Sequence, residues 1–395
     1  GSSSQIKQYK TIILRVGFDE NKHGFVNPLQ DVIDENFPQT IYGDTRSEYK
    51  PMPFIPYDPS PNFPIYKCNI LLDNQGDSKY MLTEDKKQIF EDNTIVEFKF
   101  IKTNAKYWQW VPIRVRHDKT ADYRKGNRNF GNAYHVAESV WRSIHNPITE
   151  RMITTGLDIP DVVDENVYYN RTSNKTFTRG LRDFHNKYVK RKLITDVSKR
   201  GDTLIDMTVG KAGDLSKWID AKLSFVFGVD VSKDNIENRI DGACARYLKM
   251  HKKYSSLPRA LFAHANSSLN ISSGEAFFSD KGKQIMNALN GVGPKDKQKL
   301  GNGVYRQFGR YRDGFDVVSN MFSIHYFFEN TTTFNNFLQN VSENCKVGGY
   351  FVGCCYDGKK IFKKLQSKEH NQSVFLMSKE KTKMWDIKKL YENEE

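Results

Sequence analysis

The chain has 395 residues, enough for two or three domains and too many for one small domain. With 38% apolar residues, 13% aromatics and no stretch approaching roughly 18 consecutive apolar positions, it holds material for packed cores and none for a membrane-spanning helix. Its 60 Lys and Arg against 47 Asp and Glu leave a formal charge of +13, which suits an anionic partner such as nucleic acid.

Gly1 to Ser4 read as a cloning scar, and no secretory leader follows, which predicts an intracellular chain. Residues 10 to 120 read as mostly β. Thr11-Ile12-Ile13-Leu14 and Ile70-Leu71-Leu72 are apolar runs, and Val96-Glu97-Phe98-Lys99-Phe100 alternates apolar with charged. Between them six of the 13 prolines fall within residues 51–64, which argues against regular structure there and fits an ordered connector or linker. The segment Trp110-Val111-Pro112-Ile113-Arg114-Val115-Arg116-His117-Asp118-Lys119 reads as a strand. Alternation puts Arg114, Arg116 and Asp118 on one face and Ile113 and Val115 on the other, and two guanidiniums on one face suit phosphate.

From about residue 195 strands and helices alternate. Thr203-Leu204-Ile205, Phe225-Val226-Phe227, Ala260-Leu261-Phe262-Ala263, Asp316-Val317-Val318-Ser319 and Tyr350 to Cys354 read as five strands. Leu215, Trp218 and Ile219 mark one intervening helix, and Ile236, Ile240, Ala243, Tyr247 and Leu248 mark the apolar face of another. A third, carrying Phe334, Phe337, Leu338 and Val341, should stop at Gly348-Gly349. Residues 272–314, polar and rich in Gly and Lys, read as a mobile insertion between the third and fourth strands. The alternation predicts an α/β, doubly wound, Rossmann-like domain with a parallel sheet. The five cysteines show neither a C-x-x-C pair nor zinc-type spacing and read as reduced and mostly buried, with no metal site.

The first strand leads through Asp206-Met207-Thr208-Val209-Gly210-Lys211-Ala212-Gly213-Asp214 into its helix, where small residues let a ligand approach the backbone. Asp230 ends the second strand 20 residues beyond Gly210, the place for a carboxylate that accepts from both hydroxyls of a ribose. A tight strand-to-helix turn without a ligand would show the same pattern.

Four segments in order carry a resemblance. They are Leu181-Arg182-Asp183-Phe184-His185-Asn186-Lys187-Tyr188-Val189-Lys190, the Asp206 to Asp214 turn, Asp316 to Tyr326, and Gly348 to Gly353. The third, a strand running into Phe322-Ser323-Ile324-His325-Tyr326, is the most specific. Over about residues 170 to 365 the chain resembles the cap guanine-N7 methyltransferases, and specifically the fused mRNA-capping enzymes of large DNA viruses. The resemblance implies a class I methyltransferase domain that takes S-adenosylmethionine and methylates N7 of the guanine in a GpppN cap. It implies cofactor contacts from Lys190, Asp206, Gly210, Gly213, Asp214, Asp230, Asn266, Ser267 and Met321, and cap contacts from Asn186, Phe322, His325 and Tyr326. Lone-pair attack by N7 needs no general base, so no proton-transfer residue is expected. Thr208, Asn266 and Met321 replace the cellular family's glycine, aspartate and glutamine, which bears on cofactor affinity.

The Arg-x-Asp-Lys segment is similar to the last motif of the mRNA guanylyltransferases, which implies an OB-fold whose Arg114, Arg116, Asp118 and Lys119 engage nucleotide phosphates. No Lys-x-Asp-Gly supplies a nucleophile. The implied organisation is an OB-fold domain over 1–145, a connector over 146–180 and the methyltransferase over 181–395. The family's Pro-Glu-aromatic segment is missing from the latter, so it should lack its C-terminal end. Implied partners are 5′-capped mRNA, a guanylyltransferase core upstream and a stimulatory subunit, in the cytoplasm of an infected cell or in a virion. The competing expectation is a non-catalytic RNA-binding scaffold with a degenerate cofactor turn. Ribose 2′-O methylation is disfavoured, since no segment resembles that family's catalytic lysine set.

Overall fold

The structure, a computed structural model, describes residues 8–38, 48–75, 78–128, 130–156, 179–254, 256–379 and 381–392. The chain divides into two compact units, Gly1–Val26 with Gly43–Val162, and Asn27–Tyr42 with Val163–Glu395. Most of the expected connector lies outside the described residues. No helix among the described residues is long and apolar enough to cross a membrane.

The first unit is antiparallel. Strands β1 (Tyr9–Ile13), β2 (Arg15–Phe18), β3 (Lys50–Pro53), β4 (Lys67–Gln75), β5 (Ser78–Leu82), β6 (Ile89–Phe90), β7 (Val96–Phe100) and β8 (Trp110–Val115) form a sheet ordered β1-β4-β5-β6 and the pairs β2-β3 and β7-β8. Alternation turns Cys68 and Ile70 of β4 inward, against Met81, Phe90 and Val115. Pro51 and Pro53 lie within β3, so regular structure reaches further into the proline-rich segment than composition suggests. The rest of that segment is held by the helix Tyr134–His145. Tyr134 Oη donates to the Ile55 carbonyl at 2.7 Å, Trp141 Nε1 donates to that of Pro59 at 2.8 Å, and Glu138 accepts from the Tyr57 amide at 2.7 Å. Backbone groups without a strand partner are thereby satisfied.

The second unit is built on strands β9 (Thr203–Asp206), β10 (Phe225–Asp230), β11 (Arg259–His264), β12 (Phe315–Met321) and β13 (Cys345–Cys354), all parallel, in the order β11-β10-β9-β12-β13. All five expected strands are present. Helices cover both faces, which is why Leu204, Ile205, Val226, Phe227, Leu261, Phe262, Val317 and Val318 are buried in continuous apolar runs. A hairpin of β14 (Ser373–Met377) and β15 (Lys383–Lys388) follows.

Five expectations are corrected. The helix Pro28–Asp34 belongs to this second unit, although it comes early in the chain. Its Val32 and Ile33 are buried, and Gly303 lies so close that a Cβ there would meet the Ile33 carbonyl at 3.0 Å. Residues 272–314 are packed helices: Ile285, Met286, Ala288 and Leu289 bury one face of the helix Asp280–Leu289, and Leu300 and Val304 are buried beyond it. The apolar face from Ile236 to Leu248 breaks into helices Lys233–Glu237 and Ala243–His251, and Ile240 is exposed. Asn238 Oδ1 accepts from the amides of Ile240 and Asp241 at 2.9 and 3.1 Å, and this local turn outcompetes the helix. The helix Thr331–Asn344 stops four residues before Gly348 and runs directly into β13. Gly349 passes so close to the Asp316 carbonyl that a Cβ would stand at 2.7 Å. The cysteines, all free, are less buried than expected, since Cys345 and Cys354 are half-buried and Cys355 is exposed.

Candidate functional site

The carboxyl ends of β9, β10 and β12 lie at the point where the strand order reverses, the position at which a doubly wound sheet leaves a ligand crevice. Asp206 closes β9 and is buried. Desolvation, and after it the negative charge of Asp214, push its pKa up to about 7, against a hydrogen bond from the Thr208 amide at 3.1 Å. The chain then turns through Gly210, with φ 54°, and Ala212, with φ 53°. A glycine would hold the second position without strain, which marks Ala212 as a departure that the surrounding structure enforces. Lys211 locks the outside of the turn, with its Nζ 3.0 Å from Asp234 and 2.8 Å from Asp241.

Asp230, at the end of β10, is buried and accepts three hydrogen bonds: Oδ2 from the Gly210 amide at 2.8 Å, and Oδ1 from the Ser232 amide at 2.9 Å and Asn235 Nδ2 at 3.0 Å. The single bond to Oδ2 leaves acceptor capacity on that oxygen. Asp214 sits between two ammonium groups, with Lys190 Nζ 3.2 Å from Oδ2 and Lys217 Nζ 2.8 Å from Oδ1. Sequence reasoning missed Lys217. Its only sequence signal is the i, i+3 spacing from Asp214, and its near-complete burial was not legible.

Lys190 comes from a helical segment in three parts, Arg179–Asp183, a π-helical turn Phe184–Val189, and Lys190–Val197. Such turns are rare and recur at functional sites. This one carries Asn186, half-buried, and His185, whose ring lies 4.9 Å from that of Phe322. Ser267 is buried and donates to the Met207 carbonyl at 2.6 Å, and Asn340 Nδ2 donates to the Ser267 carbonyl at 2.9 Å. The inner face of the helix Thr331–Asn344 is therefore partly polar and anchors the loop after β11. Asn266 commits its side-chain oxygen to the Ser268 amide at 2.9 Å. Met321 is buried, with Sδ 3.8 Å from Cys354 Sγ.

Beyond Met321 the backbone of Phe322 adopts φ 59°, an unfavourable conformation for a bulky residue, stabilised by its amide donating to the Cys354 carbonyl at 2.7 Å. The ring of Phe322 lies 5.9 Å from that of Tyr356, and His325 lies 4.3 Å from Tyr326 and 5.7 Å from Tyr356. Lys190 Nζ stands 5.7 Å above Phe322. Burial lowers the His325 pKa, and burial followed by the Tyr356 charge raises that of Tyr326, so both rings are neutral near pH 7. Tyr326 is 49% exposed, which does not fit a core aromatic. Tyr356 was not singled out from sequence, and only its position just after β13 hinted at it. Thr208 Oγ1, Ser319 Oγ, His325 Nδ1 and both amide atoms of Asn320 are buried without a hydrogen-bond partner. Buried polar atoms without partners are uncommon, and a cluster of them at a sheet's carboxyl edge fits a polar ligand.

Arg114, Arg116, Asp118 and Lys119 lie in the other unit. Arg114 grips Glu97 of β7 with two bonds of 3.0 and 2.7 Å, and Arg116 reaches both Glu97, at 2.9 Å, and Asp118, at 3.0 Å. The two guanidiniums do share a side, and carboxylates of the same unit already engage them. Asp118 and Lys119 start the helix His117–Arg124 and are not on the strand, and Ile113 is exposed while Val115 is buried. The Arg116 hydrogen bond holds Asp118 down to about 2.

The family model described as mRNA (guanine-N(7))-methyltransferase domain matches residues 163–384. The "Probable mRNA-capping enzyme" of Acanthamoeba polyphaga mimivirus is 28% identical over 322 residues, 76% of this chain and 26% of that protein. The "mRNA-capping enzyme" of African swine fever virus is 22% identical over 62% of this chain and 24% of its own length. The "mRNA cap guanine-N(7) methyltransferase" of Saccharomyces cerevisiae is 28% identical over 47% of this chain and 34% of its own. The chain thus spans only about a quarter to a third of these curated relatives.

Proposed function

Since the chain belongs to the mRNA (guanine-N(7))-methyltransferase domain family, we propose that its second unit methylates N7 of the guanine in a 5′ GpppN cap with S-adenosylmethionine as donor. The observation that carries the reading is the junction of two half-sites at one sheet edge. The Asp206, Gly210, Asp214 and Asp230 cradle adjoins the strained Phe322 and the open set His325, Tyr326 and Tyr356.

The residues fit the cofactor. Asp230 has acceptor capacity for ribose hydroxyls, the Lys190–Asp214–Lys217 cluster suits a zwitterionic amino-acid end, and the unpartnered Thr208, Ser319 and Asn320 atoms offer further polar contacts. Gly210 and Gly213 keep the turn low, and Asn266, Ser267 and Met321 border the same edge. When bound, S-adenosylmethionine supplies an electrophilic methyl group on a sulfonium. Phe322, His325, Tyr326 and Tyr356 orient the guanine, with Asn186 on the side of the cap phosphates. Guanine N7 has a free lone pair and no proton, so no side chain needs to move one. Orientation is the main contribution and can supply on the order of 7 to 11 kcal/mol. A neutral His325 suits this, because the base becomes cationic as the N–C bond forms and a charged imidazole would oppose it.

The first unit reads best as an OB-fold of guanylyltransferase type, supported by its antiparallel strands and by the Arg114, Arg116, Asp118 and Lys119 segment at the end of β8. It would serve nucleotide phosphates during guanylate transfer once Glu97 and Asp118 release the guanidiniums. A guanylyltransferase core and a stimulatory subunit would be its partners.

Calorimetric titration with S-adenosylmethionine, followed by methyl transfer to GpppG with the product identified, tests the central reading. Binding and N7-methylated product are expected. No heat of binding would favour the scaffold, and methylation at a ribose oxygen would refute the assignment.

A further inference from the structure

We propose that the helix Gly358–Leu365 is the surface that receives the RNA chain as it leaves the cap, its lysines meeting the backbone phosphates of the first transcribed nucleotides. The proposal rests on reading the aromatic set as the cap pocket. Four of the eight residues are lysines, Lys359, Lys360, Lys363 and Lys364, and all four are exposed. The i, i+3 and i, i+4 spacings hold them on one side. The other side anchors the helix: Leu365 is buried, Ile361 is half-buried, and the Phe362 ring stacks on Tyr391 with centroids 5.8 Å apart.

Position and the clustering of four lysines set this helix apart from an ordinary solvated face. Asp357 caps it, accepting from the Lys360 amide at 3.0 Å, and Tyr356 immediately precedes the cap with its ring 5.7 Å from His325. The helix therefore starts at the rim of the aromatic set and extends about 12 Å from it. Several exposed lysines elsewhere in this unit pair within their own segment, as Lys187 does with Asp183, Lys192 with Asp196 and Lys383 with Asp386. On this helix Lys360 alone approaches a carboxylate, that of Asp357 at 3.6 Å, among the described residues. From Asp357 to Glu392 the sequence has ten lysines against five acidic residues, a large share of the +13 charge in under a tenth of the chain. Unpaired charge held on a rigid element suits a polyanion, whose condensed counterions are released on contact.

The test compares the parent with a triple variant, Lys359→Gln, Lys363→Gln and Lys364→Gln, in the whole chain. Binding of a capped 20-nucleotide RNA is followed by fluorescence anisotropy across a salt series, and methyl transfer is measured on that RNA and on the GpppG dinucleotide. Losing three contacts to a single strand should flatten the slope of log K against log salt by about 2 and raise the KM for the RNA roughly tenfold. The kcat and KM for GpppG should stay at the parent values. An unchanged RNA affinity and salt slope would overturn the proposal and leave the face to solvent or to an acidic protein. Equal losses on RNA and GpppG would overturn it in favour of the cap triphosphate. A parent that binds RNA but methylates neither substrate would refute the catalytic reading, and the salt slope would then decide the helix by itself.

Discussion

Replacing Asp230 by Asn separates the ligand role of this carboxylate from its structural one. Oδ1 accepts from Ser232 and Asn235, and Oδ2 from Gly210. An Asn side chain can keep its oxygen on the Ser232 and Asn235 donors, which turns its NH2 toward the Gly210 amide. One buried N–H then loses its acceptor, at about 1 to 3 kcal/mol of stability. For the cofactor, the remaining acceptor site on the charged Oδ2 is replaced by an NH2 that cannot accept from a ribose hydroxyl, a loss of about 1.5 to 3 kcal/mol. The expected weakening of S-adenosylmethionine binding is on the order of a hundredfold, well within the range of calorimetry. Asn235→Ala is the control. It removes one of the three internal donors, costs about 1 kcal/mol of stability and leaves the carboxylate in place, so affinity should fall only a few-fold. Parental affinity in the Asp230→Asn protein would refute the ribose assignment. So would an equal loss in both variants, because the carboxylate would then act only by holding the Gly210 turn.

Three further outcomes follow from the geometry. Asp206, with a folded pKa near 7, keeps its proton between about pH 4 and 7 while the unfolded chain loses it, so its contribution falls as pH rises through that window, by about 4 kcal/mol at most. Urea unfolding at pH 4.5 and 7.5 should show Asp206→Asn gaining on the parent at the higher pH, and parallel pH profiles would contradict the raised pKa. Tyr326→Ala should reduce cap methylation tenfold to a hundredfold, since one stacking contact is worth roughly 1 to 3 kcal/mol. S-adenosylmethionine affinity and melting temperature should change little for this half-exposed ring, and a large drop in melting temperature would return Tyr326 to the core. Lys217→Met leaves the buried Asp214 with Lys190 as its remaining cation, which should cost about 3 to 5 kcal/mol and lower the melting temperature by on the order of 10 °C, whereas an unchanged melt would show the Lys217 pair to be dispensable.

The parallel sheet was legible in the sequence because strands buried on both faces must be apolar throughout, and Val226-Phe227 and Val317-Val318 could serve no other period. The Gly210 turn and Asp230 were legible for a similar reason, since close backbone approach and a strand-end carboxylate demand particular residue types at a fixed separation. Composition misled at residues 272–314, where glycines with positive φ at 291, 293 and 301 make turns between short helices, and burial depends on neighbours that composition does not name. Tertiary packing alone decided that the helix Pro28–Asp34 joins the second unit, because its apolar pair needs a groove made some 270 residues later. It also decided which charges are buried and paired. Lys217 and Lys187 are equally polar as letters, and only the fold brings the first against Asp214 in the interior while leaving the second in solvent. Local patterns specify strands, turns and residue types at one site. The partner of each side chain depends on contacts distant in sequence, and these arise only when the chain closes on itself.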